Sequence, residues 1–393
     1  MILADLGTIV TGKTPSTKCK EYWNGNVPFV TPKDIQGTKH IFSTERNISD
    51  IGLISAKGVS LPPNSICVSC IGNIGYVGKT TTQCISNQQI NAIIPFSKVN
   101  SDYVYYLIKW LWPFFKSYEG QSTTLSILNK TQFSKIEIPK HSLLQQNAIA
   151  AVLNCFDDKI EENERINDNL YRLLSLSFKK DYWNKVIDHP EWVMTNLDET
   201  TSRFGTGLNP RKNFVLGHGN NYYVTIKNMG NNRIYLDDRC DKIDDDAIRR
   251  IQMRSDLKVG DLLFSGIGTI GRVFLIDKPA TNWNTSESVF NLRPNAKVSS
   301  EFLYLLLLNN DMQDYAISLA SGSVQKGIRM ADLKKYSFFL PTSDVMEHLT
   351  SLWKPLIKQI KANEVESDSL AILRDTLLPK LMSGELDVSA IEL

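Results

Sequence analysis

Two helical stretches related by a shift of 200 residues constrain this chain more than anything else in it. From Ser142 to Lys180 the sequence follows one long helical pattern. Ile149, Leu153, Phe156, Ile160, Asn163, Asn167, Leu170, Leu174 and Ser177 recur at alternating steps of four and three. Such a heptad seam calls for a partner helix. The same chain supplies it, because Leu349, Trp353, Leu356, Ile360, Asn363, Ser367, Leu370 and Leu377 repeat the pattern. Ile160/Ile360, Asn163/Asn363, Glu164/Glu364, Asp168/Asp368, Leu170/Leu370 and Leu173/Leu373 are identical pairs, which makes the chain a tandem duplication. A helix of this length spans roughly 58 Å at 1.5 Å per residue, so it reads as a spacer between two bodies rather than as filling for one. Asn163 and Asn363 weaken the seam but favour the alignment in which polar groups meet, which assigns them to register. Pro355 falls inside the second pattern and predicts a kink or a late start there.

The 393 residues, 42% hydrophobic and 22% charged, suffice for two cored domains plus connectors and are not those of a disordered chain. Nothing at the start of the sequence reads as an export signal. The most apolar window, Tyr103 to Phe115, is too short for a membrane span and carries Lys109 and Pro113, so a buried helix and a cytoplasmic location are expected. The net charge of +2 divides unevenly: residues 1–140 hold 14 Lys/Arg against 8 Asp/Glu and residues 190–341 hold 19 against 17. The helical stretches are acidic, with 6 against 8 over 142–189 and 5 against 9 over 342–393. That division suits domains that touch phosphate and helices that do not. Cys67 and Cys70 form a Cys-x-x-Cys pair, yet under the 196-residue offset that holds there they fall on Leu263 and Gly266. Strand-core cysteines and no metal are therefore expected.

In chain order, LADLGTIV and Val27–Thr31 read as strands around a polar loop bearing Lys13, Thr14, Ser16, Thr17, Lys18 and Lys20, either a phosphate-binding or a merely solvated loop. Ser65–Ile71 and Tyr76–Lys79 flank a tight turn at Gly72–Gly75, and LKVGDLLFSGIGTIGRVFLI is the counterpart. Gly266, Gly268 and Gly271 spell GxGxxG, but a strand follows where a dinucleotide site needs a helix. Gly78-Lys79-Thr80 lacks the upstream glycine of a P-loop, so both segments are glycine-rich hairpins. Each is followed by a polar cluster, SNQQINAIIP or NTSESVFNLRP, whose side chains either read base edges or close a hydrogen-bonded turn. A helix comes next (Asp102–Ser117, Ser300–Ser318), then a glycine-containing turn and a strand ending at Pro139 or Pro341. Ser142-x-x-Gln145 is a capping box that opens the central helix.

The expected nucleic-acid contacts are Lys13, Thr14, Lys18, Lys33, Asn73, Lys79, Asn87, Gln88, Gln89, Ser122 and Thr123 in the first half. In the second they are Arg203, Arg211, Lys212, Lys227, Asn228, Thr269, Arg272, Ser286, Ser288, Gln325 and Lys326. Arg203, Arg211, Lys212, Lys227 and Asn228 have no close match in the first copy, and like scaffolds with unlike loops bind different versions of one kind of ligand.

TGKTPS, YWNGNVPFVTPKDI, SCIGNIG with SGIGTIG, the GQS and GSV turns before IEIP and FFLP, and the closing LLPKLMSGEL resemble the specificity subunit of type I restriction-modification enzymes. The resemblance spans essentially the whole chain. It implies an α/β (α+β) fold with two similar target-recognition domains, 1–141 and 190–341, separated by long helices, 142–189 and 342–393, that form an antiparallel coiled coil. It further implies a chain without catalytic residues that reads double-stranded DNA, one domain per half of an asymmetric site. Two methyltransferase subunits and the restriction subunits are the implied partners, carrying S-adenosylmethionine, ATP and Mg, with adenine as the methylated base. Domains on one side of the duplex would place half-site centres about one turn, near 34 Å, apart. Two alternatives stand beside this reading: a coiled-coil protein-binding adaptor and a self-contained DNA-modifying enzyme.

Overall fold

The computed structural model describes residues 1–387 apart from 38, 120–125, 231 and 323–325. The chain divides into two compact units, Met1–Asn163 with Val365–Leu393, and Glu164–Glu364. The division crosses both long helices, so each unit joins one sheet-bearing domain to half of each helix. The ranges 1–141, 142–189, 190–341 and 342–393 follow chain order, whereas side-chain packing binds every domain to two helix halves.

In the first unit, strands lie in the order Gly7–Thr11, Ile90–Pro95, Ile66–Ser69, Val77–Thr80 and His40–Ile41, antiparallel except for the last pair. A three-stranded sheet, Asn47–Ile48, Trp23–Val30 and Ile85–Ser86, stands beside it. The second unit repeats both: Thr201–Thr206, Val289–Pro294, Leu262–Ser265 and Val273–Leu275, then Asp241–Ile243, Asn221–Val224 and Trp283–Thr285. The central strands Ile66–Ser69 and Leu262–Ser265 are buried at every position, which is why they read as unbroken apolar runs. Alternate residues feed two cores. Ile66 and Val68 meet the helix-covered core while Cys67 packs with Cys84 on the other face, and Leu262 and Phe264 are likewise separated from Leu263.

The covering helices form as two pieces where one is expected. Ser101–Trp110 stops before Trp112–Glu119, whose second residue Pro113 fits a first helical turn but cannot extend the preceding helix. Ser300–Leu308 and Asn310–Ser318 are interrupted at Asn309, which takes extended backbone. The expected strand LADLGTIV begins as a 3-10 turn, Leu3–Asp5, because the Asp5 carboxylate accepts the Ile2 N–H at 2.8 Å. The strand expected before Pro139 shrinks to a single bridge between Ile2 and Glu137, whereas Ser337–Leu340 pairs fully with Val193–Asn196.

The central helix runs Leu143–Ser177 and continues through a wide turn, Phe178–Tyr182, and a 3-10 turn, Trp183–Asp188. Ser142 and Gln145 cap it reciprocally at 2.9 and 3.3 Å. Every expected seam residue is buried or half-buried. Within the first unit, Ile149 and Leu153 share a core with Leu378, Leu381 and Met382, and Asp157 accepts Arg374 at 2.5 Å. The Asn163 amide donates to Glu366 at 2.7 Å and to Ser367 at 3.3 Å. Within the second unit, the Asn363 amide donates to Asn167 at 2.8 Å and the Trp353 indole to Ser177 at 2.8 Å. In both units ascending positions on one helix meet descending positions on the other, so the pairing is antiparallel.

The C-terminal helix spans Ser343–Ser383 without interruption, which corrects the late start expected at Pro355. Pro355 is exposed, so the Ser351 carbonyl that loses its intrahelical donor can turn to water. Among the described residues no helix is long and apolar enough to cross a membrane.

Candidate nucleic-acid interface

Three loops in each unit are fixed by the same backbone bonds. At the glycine-rich hairpin, the Ser69 hydroxyl donates to the Asn73 carbonyl at 2.6 Å and accepts the Tyr76 N–H at 3.0 Å. Ser265 does the same with Thr269 at 2.6 Å and Arg272 at 2.8 Å. Gly75 and Gly271 hold φ of 94° and 92°, a conformation that a side chain resists. The turn is clasped from the segment after the helices, where the Ser126 carbonyl accepts Gly72 N–H and the Lys326 carbonyl accepts Gly268 N–H. A second loop repeats as Thr31-Pro-Lys-Asp34 and Thr225-Ile-Lys-Asn228, with Asp34 accepting Thr31 N–H at 2.7 Å and Asn228 accepting Thr225 N–H at 2.9 Å, so Lys227 and Asn228, expected to be unmatched, correspond to Lys33 and Asp34. The third loop is tied by Asn87 N–H to Val30 O and by Ser286 N–H to Val224 O.

In the first unit these loops enclose a polar cleft of about 500 Å3 that brings together the expected Lys33, Asn73, Asn87 and Gln89. Asn87 donates to Gln89 at 2.9 Å and accepts its N–H at 3.1 Å, so the two amides are preset against each other. Gln88 is exposed and accepts the Thr14 hydroxyl at 2.6 Å, linking the loop of Lys13 and Lys18, both exposed, to the polar cluster. Lys33 is exposed and pairs with Glu45 at 3.4 Å. Sequence reasoning missed Thr31, Gln36, Glu45 and Arg46, which also line the cleft. Arg46 reaches it because the strand Asn47–Ile48 pairs with Val27 and Pro28, a register that a long irregular connection hides from the sequence. Ser122 and Thr123 lie outside the described residues, as does Gln325 of the second unit.

The second unit sets other groups on the same frame. Matching strand registers place Asp241 where the first unit has Arg46, and the bonded loops place Glu287 opposite Gln88 and Thr269 opposite Asn73. Arg211, Lys212, Thr269 and Lys326 are exposed, Ser288 is half-buried, and Lys227 is exposed but pairs with Asp241 at 3.3 Å.

Five expected contacts are instead buried or structural. Lys79 is 7% exposed and gives its ammonium to Asp102 at 2.8 Å, because its strand is buried on both faces. Arg272 donates to the Ile226 carbonyl at 2.8 Å and also to that of Met229, so it ties the hairpin to the Thr225 turn. Asn228 is buried as that turn's acceptor, and Ser286 is buried with its hydroxyl unbonded. Arg203 turns inward as well, donating to the Ser255 carbonyl at 3.1 Å and to that of Arg254. Two lysines hold the Asp102 carboxyl below its ordinary range: burial opposes this, and the Lys79 hydrogen bond and the charge of Lys39 outweigh it. Burial pushes the Cys70 and Cys84 thiols up to about 12, so at neutral pH they are protonated core groups rather than ligands. Among the described residues no cluster of three or more His, Cys, Asp or Glu gathers to hold a metal.

What the arrangement offers is a pair of amide- and hydroxyl-rich loop clusters with cations at their margins, suited to base edges and phosphates respectively. Among known proteins, the family described as the type I restriction modification DNA specificity domain matches residues 1–172 and again 191–366. The chain is 26% identical to the type I restriction enzyme MjaIX specificity subunit of Methanocaldococcus jannaschii, across 99% of this chain and 93% of that one. It is 34% identical to the HindI specificity subunit of Haemophilus influenzae across 42% of this chain and 38% of the other. In fold it is similar to the crystal structure of the type I restriction-modification S subunit from M. genitalium, with a TM-score of 0.56 at 16% identity over 97% of this chain and 95% of that chain.

Proposed function

This chain belongs to the type I restriction modification DNA specificity family, as a specificity subunit with two target-recognition domains, and we propose that each domain reads one half of a split, asymmetric DNA site. One observation carries the reading: identical backbone bonds in the two units present different side chains, Arg46 against Asp241, Gln88 against Glu287 and Asn73 against Thr269. Amides and hydroxyls on these loops discriminate base edges by donor and acceptor pattern. Lys13, Lys18, Arg211, Lys212 and Lys326 supply salt-dependent phosphate contacts.

Catalysis belongs to other subunits. Two methyltransferase subunits bring S-adenosylmethionine and methylate adenine, and restriction subunits bring ATP and Mg, all in the cytoplasm. The long helices are their docking surface, with Asn163 and Asn363 setting the helix register. In support, Leu173 and Leu176 of one helix and Ile372 and Leu373 of the other stay 49–67% exposed, more apolar surface than a solitary helix pair needs. The test is to coexpress the chain with its methyltransferase subunits in a methylation-free host and map N6-methyladenine across the genome. A split motif with unlike halves is expected. An assembled complex that leaves adenine unmodified, or that marks a continuous motif, would contradict the reading.

A further inference from the structure

Among the described residues, Arg46 is the one cation lining the first unit's cleft whose orientation is set without an acidic partner. Its guanidinium lies 3.9 Å from the Trp23 ring centre and 5.7 Å from that of Phe29. Those rings are themselves braced, packed edge to face at 5.2 Å with the Trp23 indole donating to the Ser16 carbonyl. The backbone is moored as firmly, since the Arg46 carbonyl accepts Phe29 N–H at 3.1 Å and the Thr44 hydroxyl at 2.8 Å. Glu45, the adjacent acid, is taken by Lys33. Among the described residues no hydrogen bond or ion pair engages the guanidinium, so its N–H fork is held in plane and left unspent.

Resting on the reading that this domain contacts DNA bases, we propose that Arg46 is a specificity-determining residue that selects guanine in the half-site read by the first domain. Guanine alone presents two acceptors, O6 and N7, to a planar fork in the major groove, whereas adenine pairs an acceptor with a donor and thymine an acceptor with a methyl group. A phosphate also offers two acceptors. The cleft around Arg46 is lined by Asn73, Asn87 and Gln89, groups suited to base edges, while exposed lysines outside it serve the backbone. The second domain carries Asp241 at this position, neutralised by Lys227, so the selection is confined to one half.

The experiment is methylation mapping of the coexpressed complex carrying Arg46→Ala or Arg46→Lys, each checked for assembly and for an unchanged melting temperature. The unaltered complex must first yield a split motif, and its absence overturns the underlying reading before Arg46 is considered. Given that motif, both variants are expected to lose preference for guanine at one position of one half, by about 5- to 150-fold, with the other half unchanged. Lysine keeps the charge and loses the fork, so its failure to rescue marks base reading. Rescue by lysine would overturn the requirement for a planar fork, because an ammonium also donates to guanine O6 and N7; a uniform loss at all positions, by showing a phosphate contact, or an unaltered motif would overturn the proposal.

Discussion

The two recognition domains share their hydrogen bonds and differ in their chemistry. Ser69 and Ser265 close the same turn, and Asp34 and Asn228 accept from the same backbone position. At the sites these bonds position, Arg46 faces its cleft unpaired while Asp241 is neutralised by Lys227. The lesson is that duplication preserved what places a side chain and released what the side chain is. A second contrast runs beneath the first. Asp102 holds two largely buried lysines, Lys39 at 3.1 Å and Lys79 at 2.8 Å, whereas Glu301, at the same helical position, meets the exposed Lys354 at 3.7 Å.

The comparison can be broken most forcefully at the helix seam. Trp353 is fully buried in the second unit's core, with its indole bonded to Ser177, so Trp353→Ala is expected to destabilise that unit by about 3–5 kcal/mol in denaturant titrations. The sharper test lies in the cleft. Asn87→Ala with Gln89→Ala removes a preset amide pair and should relax one half of the motif by about 1–3 kcal/mol per base while the other half stays intact. The shared frame predicts symmetry instead: Ser69→Ala and Ser265→Ala should cost alike, about 1–2 kcal/mol each by thermal unfolding, because each leaves the same partly buried backbone groups unpaired.

The smallest effect is one of pH. Since Asp102 titrates below an unfolded carboxyl's value, its contribution is complete above about pH 4 and disappears as pH falls through the lower folded value. Asp102→Asn should therefore lower the melting temperature at pH 7, and the gap from the unaltered chain should close in strong acid. A gap that widens there would contradict the assignment.

Much of this was legible in the sequence, and the parts that were not share a cause. The duplication, the seam and the glycine hairpins rest on local period and on glycine at positive φ, which one sequence displays. Lys79 looked available because a lysine beside a glycine hairpin usually is. Only the strand His40–Ile41 at its side and Asp102 from a later helix bury it. Arg46 went unseen because its place depends on the pairing of strands some twenty residues apart, through a long irregular connection. The polar seam was anticipated as meeting groups, but which groups meet depends on antiparallel register: Asn163 finds Glu366 and Ser367, and Asn363 finds Asn167. Pro355 does not delay the helix, because exposure lets water take the carbonyl that proline orphans.

The most direct measurement of the central claim is a domain exchange. Residues 190–341 are replaced by the corresponding domain of another specificity subunit of known motif, the hybrid is coexpressed with its methyltransferase subunits, and methylated adenines are mapped. The account predicts a hybrid motif in which one half is retained and the other is the donor's. A motif altered in both halves, or altered in neither, would contradict the claim that two copies of one scaffold read two halves independently.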